Sequence, residues 1–560
     1  MNKDLIYALV LENAIMFTGR ASAGPVIGIL VAIDPEVKAN IKELSQLTNK
    51  IVNEVNSLTL EEQKSKFKNL EPLIHHEEKV IKTGLPELEN VDNNVVLRFA
   101  PYPSGPLHLG NAKQLILNDE YARRYSGKLL LVYDDTIGSD DKTISSDAYK
   151  LILDGIQWLG ARIAKIYYKS DRLDIYYKYA IDLINENKAY ICFCKSEILR
   201  KKREMGLDCE HRSYSISQNL DYFNQMLRKK FKPGEVVLRI KTSMTHKNPA
   251  FRDRVLFRIS VRNHPRSKKK YSVWPLLEFS WAIDDHLLNV THILRGKDLM
   301  IESEMEKFIW DIFGWKHPEL IHTGMIKLEG IKLSKSKSKH EVTSGVYKGW
   351  DDHRTWSLQS LRRRGFLPEA IRKFLMKPGL SKNDVSLPID DLYAENRALI
   401  DKDSNRYFFI QDPKLITIDK FKGRNVEINL HPDYPDRGKR KLEVNNKIYI
   451  NNRDYIELKE NKLFRLMDCV NFIKKKNRFI FHSTDYANFK DKGSRIIHWL
   501  PENGNLKASV VMDDGNIVKG LLERNASKLK INGICQFERA FFAKLDKKSK
   551  NEFTFYFTHK

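Results

Sequence analysis

Apolar positions in the first 90 residues recur at helical spacing among charged ones, as in "KANIKELSQLTNKIVNEVNSL", so residues 1–90 are expected to form a helical extension. "MNKDLIYALVLENAIMFTG" reads as a buried helix rather than a signal peptide, because Glu12 and Asn13 interrupt its apolar middle. From Val95 the pattern changes to "NVVLRFA", "AKQLILNDEYARRY", "KLLLVYDD" and "SSDAYKLILDGIQWL". Short apolar runs alternating with amphipathic ones are βαβα, which predicts a parallel sheet. "VTHILRG" and "ESEMEKFIWDIF" resume that pattern near 290–313, after an insertion at 190–265 with clustered cysteines and several candidate strands. The α/β core then spans 91–189 and 266–340. Within 341–400, "SLQSLRRRGFLPEAIRKFLMKPGLS" reads as two helices parted by Gly365 and Pro368. Beyond 401 come short β-rich runs, among them "NKIYINNRDYIEL", "RFIFHST" and "LKASVVMDDGNIVKGLL", the last with an Asp-Gly turn. An all-β region of one or two barrels is expected over 401–560.

At 560 residues the chain is long enough for several packed domains. Its 96 Lys and Arg exceed its 72 Asp and Glu by 24, a surplus that attracts polyanions, with nucleic acid the natural partner. No run of eighteen apolar residues occurs, and "AGPVIGILVAI" is too short and glycine-rich to span a bilayer, so no membrane association is expected. Five cysteines are too few and too unevenly spread for a secreted disulfide framework, which favours a reducing, cytoplasmic location.

Candidate chemistry begins with "RFAPYPSGPLHLGNAK", Arg98 to Lys113. A strand ending at Ala100 and a helix starting near Asn111 leave a Pro- and Gly-rich loop whose backbone is able to approach a ligand closely. The helix N-terminus offers unpaired N–H groups to phosphate, and His108 is placed to donate to a phosphate oxygen. The loop fits a nucleoside triphosphate. "GIKLSKSKSK", 330–339, adds lysines and serines able to meet a departing pyrophosphate.

In that order, "HLGN" and "KLSKS" resemble the HIGH and KMSKS signatures of class I aminoacyl-tRNA synthetases. With "DDT" at 134–136, "AIDDHLLNVTHILRGKD", "LRRRGFLPEAI", "IIHWLP" and "CQFERAFFAKLD", the chain is similar to the glutamyl-tRNA synthetase family of the archaeal and eukaryotic type over nearly everything after residue 90. The resemblance implies a Rossmann-type catalytic core with an acceptor-binding insertion, a helical stem-contact region and anticodon-binding C-terminal β-barrels. It implies ATP with Mg2+, L-glutamate and tRNA(Glu) as substrates, a monomer, and amino-acid activation only once tRNA is bound. It assigns His108, Lys332 and Lys335 to catalysis, and His108, Gly110, Asn111, Asp298, Ser334 and Lys335 to ATP. Arg98 and Arg295 match arginines that hold the glutamate side-chain carboxylate, Asp134 matches the acid that binds its α-ammonium, and Ala100 lines the same pocket. Two guanidiniums on one carboxylate favour glutamate over its isosteric amide. Three positions depart from the family pattern. Asn111 stands where HIGH ends in histidine, Leu277 where many members have a hydroxylated aromatic residue, and "VYDDT" where an arginine-containing run is commoner.

"CFC" at 192–194 and "CEH" at 209–211 set Cys192, Cys194, Cys209 and His211 in two close pairs with fourteen residues between them. Four such ligands suit a closed, structural zinc site, with buried free cysteines as the alternative. Some members of the family carry a comparable zinc module here. Glutaminyl-tRNA synthetase, a noncatalytic tRNA-binding protein derived from a synthetase, and a small-molecule adenylyltransferase are the rival readings. Charging of tRNA(Gln) is left open.

Overall fold

The computed structural model describes residues 3–74, 84–92, 94–139, 143–331, 335–550 and 552–560. It divides into a first unit ending at Gly84 and a second running from Leu85 to Lys560.

The first unit contains helices α1 (Lys3–Met16), α2 (Ala23–Ile33), α3 (Ile41–Asn56) and α4 (Leu60–Leu70). Leu44, Thr48, Ile51, Val52 and Val55 form the buried stripe of α3, at the spacing read from the sequence. A capping box starts α4: Thr59 Oγ1 accepts from the Glu62 N–H while the Glu62 carboxylate accepts from the Thr59 N–H.

The second unit is built on five parallel strands: β1 (Val96–Phe99), β2 (Lys128–Tyr133), β3 (Ile163–Tyr168), and, after the insertion described next, β8 (His292–Gly296) and β9 (Glu319–Thr323). Their order is β3-β2-β1-β8-β9. Helices α5 (Leu109–Arg124), α6 (Ala148–Trp158) and α7 (Leu173–Asn185) connect the first three strands and lead out of them. Both faces of the sheet are covered: Leu97, Phe99, Leu129 and Leu131 enter one core, and Val96, Leu130, Val132 and Ile293 the other. That double burial explains why these strands read as unbroken apolar runs.

The insertion is an antiparallel sheet of β4 (Ala189–Cys192), β5 (Val237–Ile240), β6 (Val255–Ile259) and β7 (Val273–Pro275), with helices α8 (Ser196–Met205) and α9 (Ile216–Leu227). Its last strand lies ten residues past the boundary expected at 265, because Val273 and Trp274 pair with Ile259 and Arg258. Helices α10 (Leu277–Leu287) and α11 (Met300–Phe313) flank β8 and pack on the second core.

After β9 come β10 (Ile326–Leu328), α12 (Lys335–Thr343), α13 (Leu358–Arg364), α14 (Pro368–Met376), β11 (Val385–Leu387) and α15 (Ile389–Ile400). Gly365, with φ of 100°, ends α13, and Pro368 starts α14, matching the two punctuation marks in the sequence. The remainder forms two seven-stranded sheets and a two-stranded hairpin. In each large sheet the two edge strands are consecutive and joined by one residue. Phe408 joins Asn405–Tyr407 to Phe409–Gln411, and His498 joins Gly493–Ile497 to Trp499–Pro501. Each sheet therefore curls until its edges meet, the barrel-like form expected from the sequence. The Asp-Gly segment turns between the strands Leu506–Val511 and Ile517–Leu522, with Gly515 at φ of 97°. Among the described residues no helix is long and apolar enough to cross a membrane.

Candidate active site and metal cluster

Open parallel sheets hold ligands beyond the carboxyl ends of their strands, where the strand order reverses. Here that point lies between β1 and β8, which are followed in the chain by Ala100 and by Lys297. The half-buried Ala100 leads into the loop read from the sequence. Gly105 is required in that loop: a Cβ there would lie 2.9 Å from the Trp350 ring. The helix begins at Leu109, two residues before the expected start, because His108 is its N-cap: Nδ1 accepts from the Gly110 N–H at 3.1 Å. In a neutral ring this places the proton on Nε2. A Cβ at Gly110 would lie 3.0 Å from His108 Cε1, so the bare glycine keeps the imidazole against the helix end. No acidic side chain occupies the first turn of α5. The loop is braced from α13, where the Leu358 N–H donates to the Leu107 carbonyl at 2.9 Å. Asn111, which stands where HIGH ends in histidine, has its Oδ1 buried without a partner among the described residues.

The strand period of two builds the floor of the crevice. The row through Val96 continues to Arg98, that through Val132 to Asp134, that through Ile293 to Arg295, and that through Tyr167 to Lys169. All four charged residues are buried. Arg98 makes a bidentate pair with Asp285 of α10 at 2.6 and 2.8 Å, and Arg295 one with Glu306 of α11 at 2.8 and 2.7 Å. Lys169 Nζ lies 3.3 Å from Asp134 Oδ1 and donates to Ser280 Oγ at 2.8 Å. Arg172 pairs with Asp284 at 2.7 Å. One indole joins the cations: Arg98, Lys169 and Arg295 lie 4.7, 4.9 and 5.1 Å from the centre of the Trp281 ring. Burial pulls the Lys169 ammonium below its ordinary value, and burial pushes the Glu306 and Asp284 carboxyls up despite their arginine partners.

The structure thus brings Arg98, Asp134 and Arg295 together, but each is already engaged by an internal group. The sequence reading missed these partners: Asp285, Glu306, Lys169 and Trp281. "AIDDHLL" carried a signal in its paired acids on an otherwise apolar helix.

Asp298 is exposed in a short turn after β8, its carboxylate folded back over Gly296, where a Cβ would meet Oδ1 at 2.2 Å. Lys332 and Ser334 lie outside the described residues, and Lys335 opens α12. That helix reaches the crevice wall: Lys339 Nζ donates to Thr143 Oγ1 at 2.5 Å, and two residues on, the Ser145 N–H donates to the Pro103 carbonyl at 2.9 Å.

In the insertion, Cys192, Cys194, Cys209 and His211 place their ligand atoms within 4.8 Å of one another. Cys192 and Cys209 sulfurs are 3.7 Å apart, and Cys194 Sγ is 3.5 Å from His211 Nδ1. A tetrahedral ion about 2.3 Å from sulfur and about 2.0 Å from nitrogen spaces its ligands by about 3.5–3.8 Å. The four side chains fit a metal. Arg239 Nη1 lies 3.8 and 3.6 Å from the sulfurs of Cys192 and Cys209, where it balances thiolate charge.

Residues 94–402 match the family described as tRNA synthetases class I (E and Q), catalytic domain, and residues 404–483 match its anti-codon binding domain. The chain is 39% identical over 562 residues to the glutamate–tRNA ligase of Methanocaldococcus jannaschii, covering 100% of both proteins. It is 42% identical over 573 residues to that of Pyrococcus furiosus, covering 99% of both. To that of Methanobrevibacter smithii it is 39% identical over 563 residues, covering 100% of this chain and 99% of the relative.

Proposed function

The chain belongs to the class I tRNA synthetases of the E and Q group, and on that premise we propose that it is a glutamate–tRNA ligase. The observation that carries this reading is the convergence of Arg98 and Arg295 on one indole at the strand ends that lead to His108. The glutamate α-carboxylate attacks the α-phosphate of ATP and releases pyrophosphate. A ribose hydroxyl at the tRNA terminus then attacks the glutamyl-adenylate and releases AMP. His108 donates from Nε2 to phosphate oxygen, Gly110 and Asn111 border the triphosphate at the start of α5, and Asp298 borders the nucleotide. Lys332, Ser334 and Lys335 neutralise the departing pyrophosphate, aided by magnesium carried with ATP. No covalent enzyme intermediate is needed, so the rate rests on positioning and on charge stabilisation.

Zinc at Cys192, Cys194, Cys209 and His211 staples the insertion. A groove of about 870 Å³ between the two-stranded hairpin Arg424–Asn429/Lys439–Val444 and the segments 501–505 and 524–528 supports an RNA partner. Lys422, Arg424, Lys441, Arg524 and Lys528 line it against two acids, Glu443 and Glu502.

One observation favours the glutaminyl alternative. Three buried cations, Arg98, Lys169 and Arg295, and the half-buried Arg172 are matched by four carboxylates, Asp134, Asp284, Asp285 and Glu306, so a neutral amide would leave no bare charge. Aminoacylation of purified tRNA(Glu) and tRNA(Gln), each offered both amino acids, separates the two. Glutamate on tRNA(Glu) is the expected product. Preferential esterification of glutamine would replace this reading by the rival, and no charging of either tRNA would leave a noncatalytic RNA-binding protein.

A further inference from the structure

Lys113 stands in the second turn of α5, the helix that His108 caps, and is 2% exposed. Its ammonium has a backbone carbonyl, not a carboxylate, as its partner among the described residues: Nζ donates to the Gly324 oxygen at 2.8 Å. That placement is costly, because a buried ammonium loses its hydration and one neutral acceptor does not replace it. Burial accordingly pulls Lys113 below the ordinary lysine range, offset only in part by the charge of Asp384. An apolar side chain of similar length would fill the space without this cost, so the ammonium answers a need other than stability.

Gly324, at the other end of that bond, is the root of a longer segment. It follows β9, and the chain runs on from it through β10 toward Lys332, eight positions later. Its N–H donates to the Ser381 carbonyl at 2.7 Å, and a Cβ there would lie 1.9 Å from the Asn383 oxygen, so two backbones meet where only glycine fits. The next residue is pinned as well: the Met325 N–H donates to Asp384 at 2.9 Å, and Lys297 pairs with the same carboxylate at 2.9 Å. Gln114, beside Lys113, donates to Thr323 Oγ1 at 2.7 Å. One helix therefore holds His108 at its cap and, a turn further on, the start of the segment that leads to the lysines.

We propose that Lys113 is a positioning residue for adenylate formation: its ammonium ties the root of the KLSKS segment to the helix that carries His108, so that the two phosphate signatures keep one frame. The inference rests on the ligase reading above and adds to it a residue that touches no substrate. Its effect falls on the step that releases pyrophosphate. Transfer of glutamate from the adenylate to tRNA makes no use of the departing phosphates and is spared.

The test is Lys113→Met, which keeps an unbranched stem and removes the charge and the donors. Exchange of pyrophosphate into ATP in the presence of tRNA(Glu) is expected to fall about a hundredfold, the cost of misplacing a reacting partner by about 1 Å, with KM for glutamate within about twofold of wild type. Single-turnover transfer from supplied glutamyl-adenylate to tRNA(Glu) should stay within about threefold of wild type. Because Lys113 acts through the segment, adding Lys113→Met to Lys335→Ala should slow exchange little beyond Lys335→Ala alone. Equal losses in exchange and transfer, or multiplied losses in the double variant, would mark a merely structural residue and overturn the proposal. If Lys113→Met does not fold, Lys113→Gln, which keeps an N–H on a shorter stem, takes its place, and failure of both to fold overturns the proposal too. Wild-type enzyme without exchange removes the ligase reading and this inference with it. Normal wild-type exchange, unchanged in the folded variant, removes this inference alone.

Discussion

The cysteine cluster and the Trp281 centre are both buried and polar, yet they handle charge in opposite ways. At the cluster three thiols and an imidazole crowd within 4.8 Å, with Arg239 beside two of the sulfurs, an arrangement that fits a cation. At Trp281 every cation has its own carboxylate, and no net charge is left over. The cysteine cluster has the form of a deficit that a permanent metal would fill. The balanced centre is stable as it stands, because an uncompensated buried charge would destabilise the fold by several kcal/mol.

The sharpest way to break this contrast is to unbalance the Trp281 centre. Glu306→Met leaves Arg295 buried without its acid, and should cost about 3–5 kcal/mol, read from urea unfolding. The double change Arg295→Met with Glu306→Met should recover stability to within about 1 kcal/mol while glutamate charging stays abolished. If the single variant is as stable as wild type, the centre is not held together by its pairs. Next in size is the cluster. Chelation should lower wild-type stability by about 3 kcal/mol, the effect of removing a ligand present at about a hundred times its dissociation constant, and should do nothing to Cys209→Ser. An equal effect on both proteins would remove the metal from the comparison.

The smallest effect is a pH dependence at the Trp281 centre. Burial and the neighbouring Arg295 pull His322 down to about 4, and its Nε2 sits 2.7 Å from Ser303 Oγ. The unfolded histidine takes a proton below about 6.5 that the folded one refuses until about 4, so the unfolded state gains protons on acidification. Stability is therefore full above about pH 6.5 and falls as pH drops toward 4. Thermal midpoints at pH 7 and pH 5 should show the fall, reduced in His322→Gln. An unchanged difference in that variant would assign it to other groups, such as His498 and His559, which burial also pulls down to about 4.

Much of this was legible in sequence because it is local. Apolar runs marked the parallel strands, Gly365 and Pro368 marked helix ends, and two Cys/His pairs marked the cluster. The row positions of Arg98, Asp134 and Arg295 follow from a period of two. What sequence does not display is partnership across distance. Arg98 meets Asp285 across 187 positions and Lys169 meets Ser280 across 111, and no local pattern encodes which acid a buried cation will find. The start of α5 was missed by two residues because His108 caps the helix with a ring nitrogen, a role usually taken by Ser, Thr, Asp or Asn.

Helix α13 has a mechanical meaning beyond its packing. At one end its first residue grips the peptide just ahead of His108. At the other, Arg364 donates to the carbonyls of Phe557 and Thr558 in the barrel strand Glu552–His559, and Thr558 Oγ1 returns a bond of 2.5 Å to the Arg364 carbonyl. Seven helical residues, about 10 Å of stiff rod, separate a barrel wall from the loop that ends at His108.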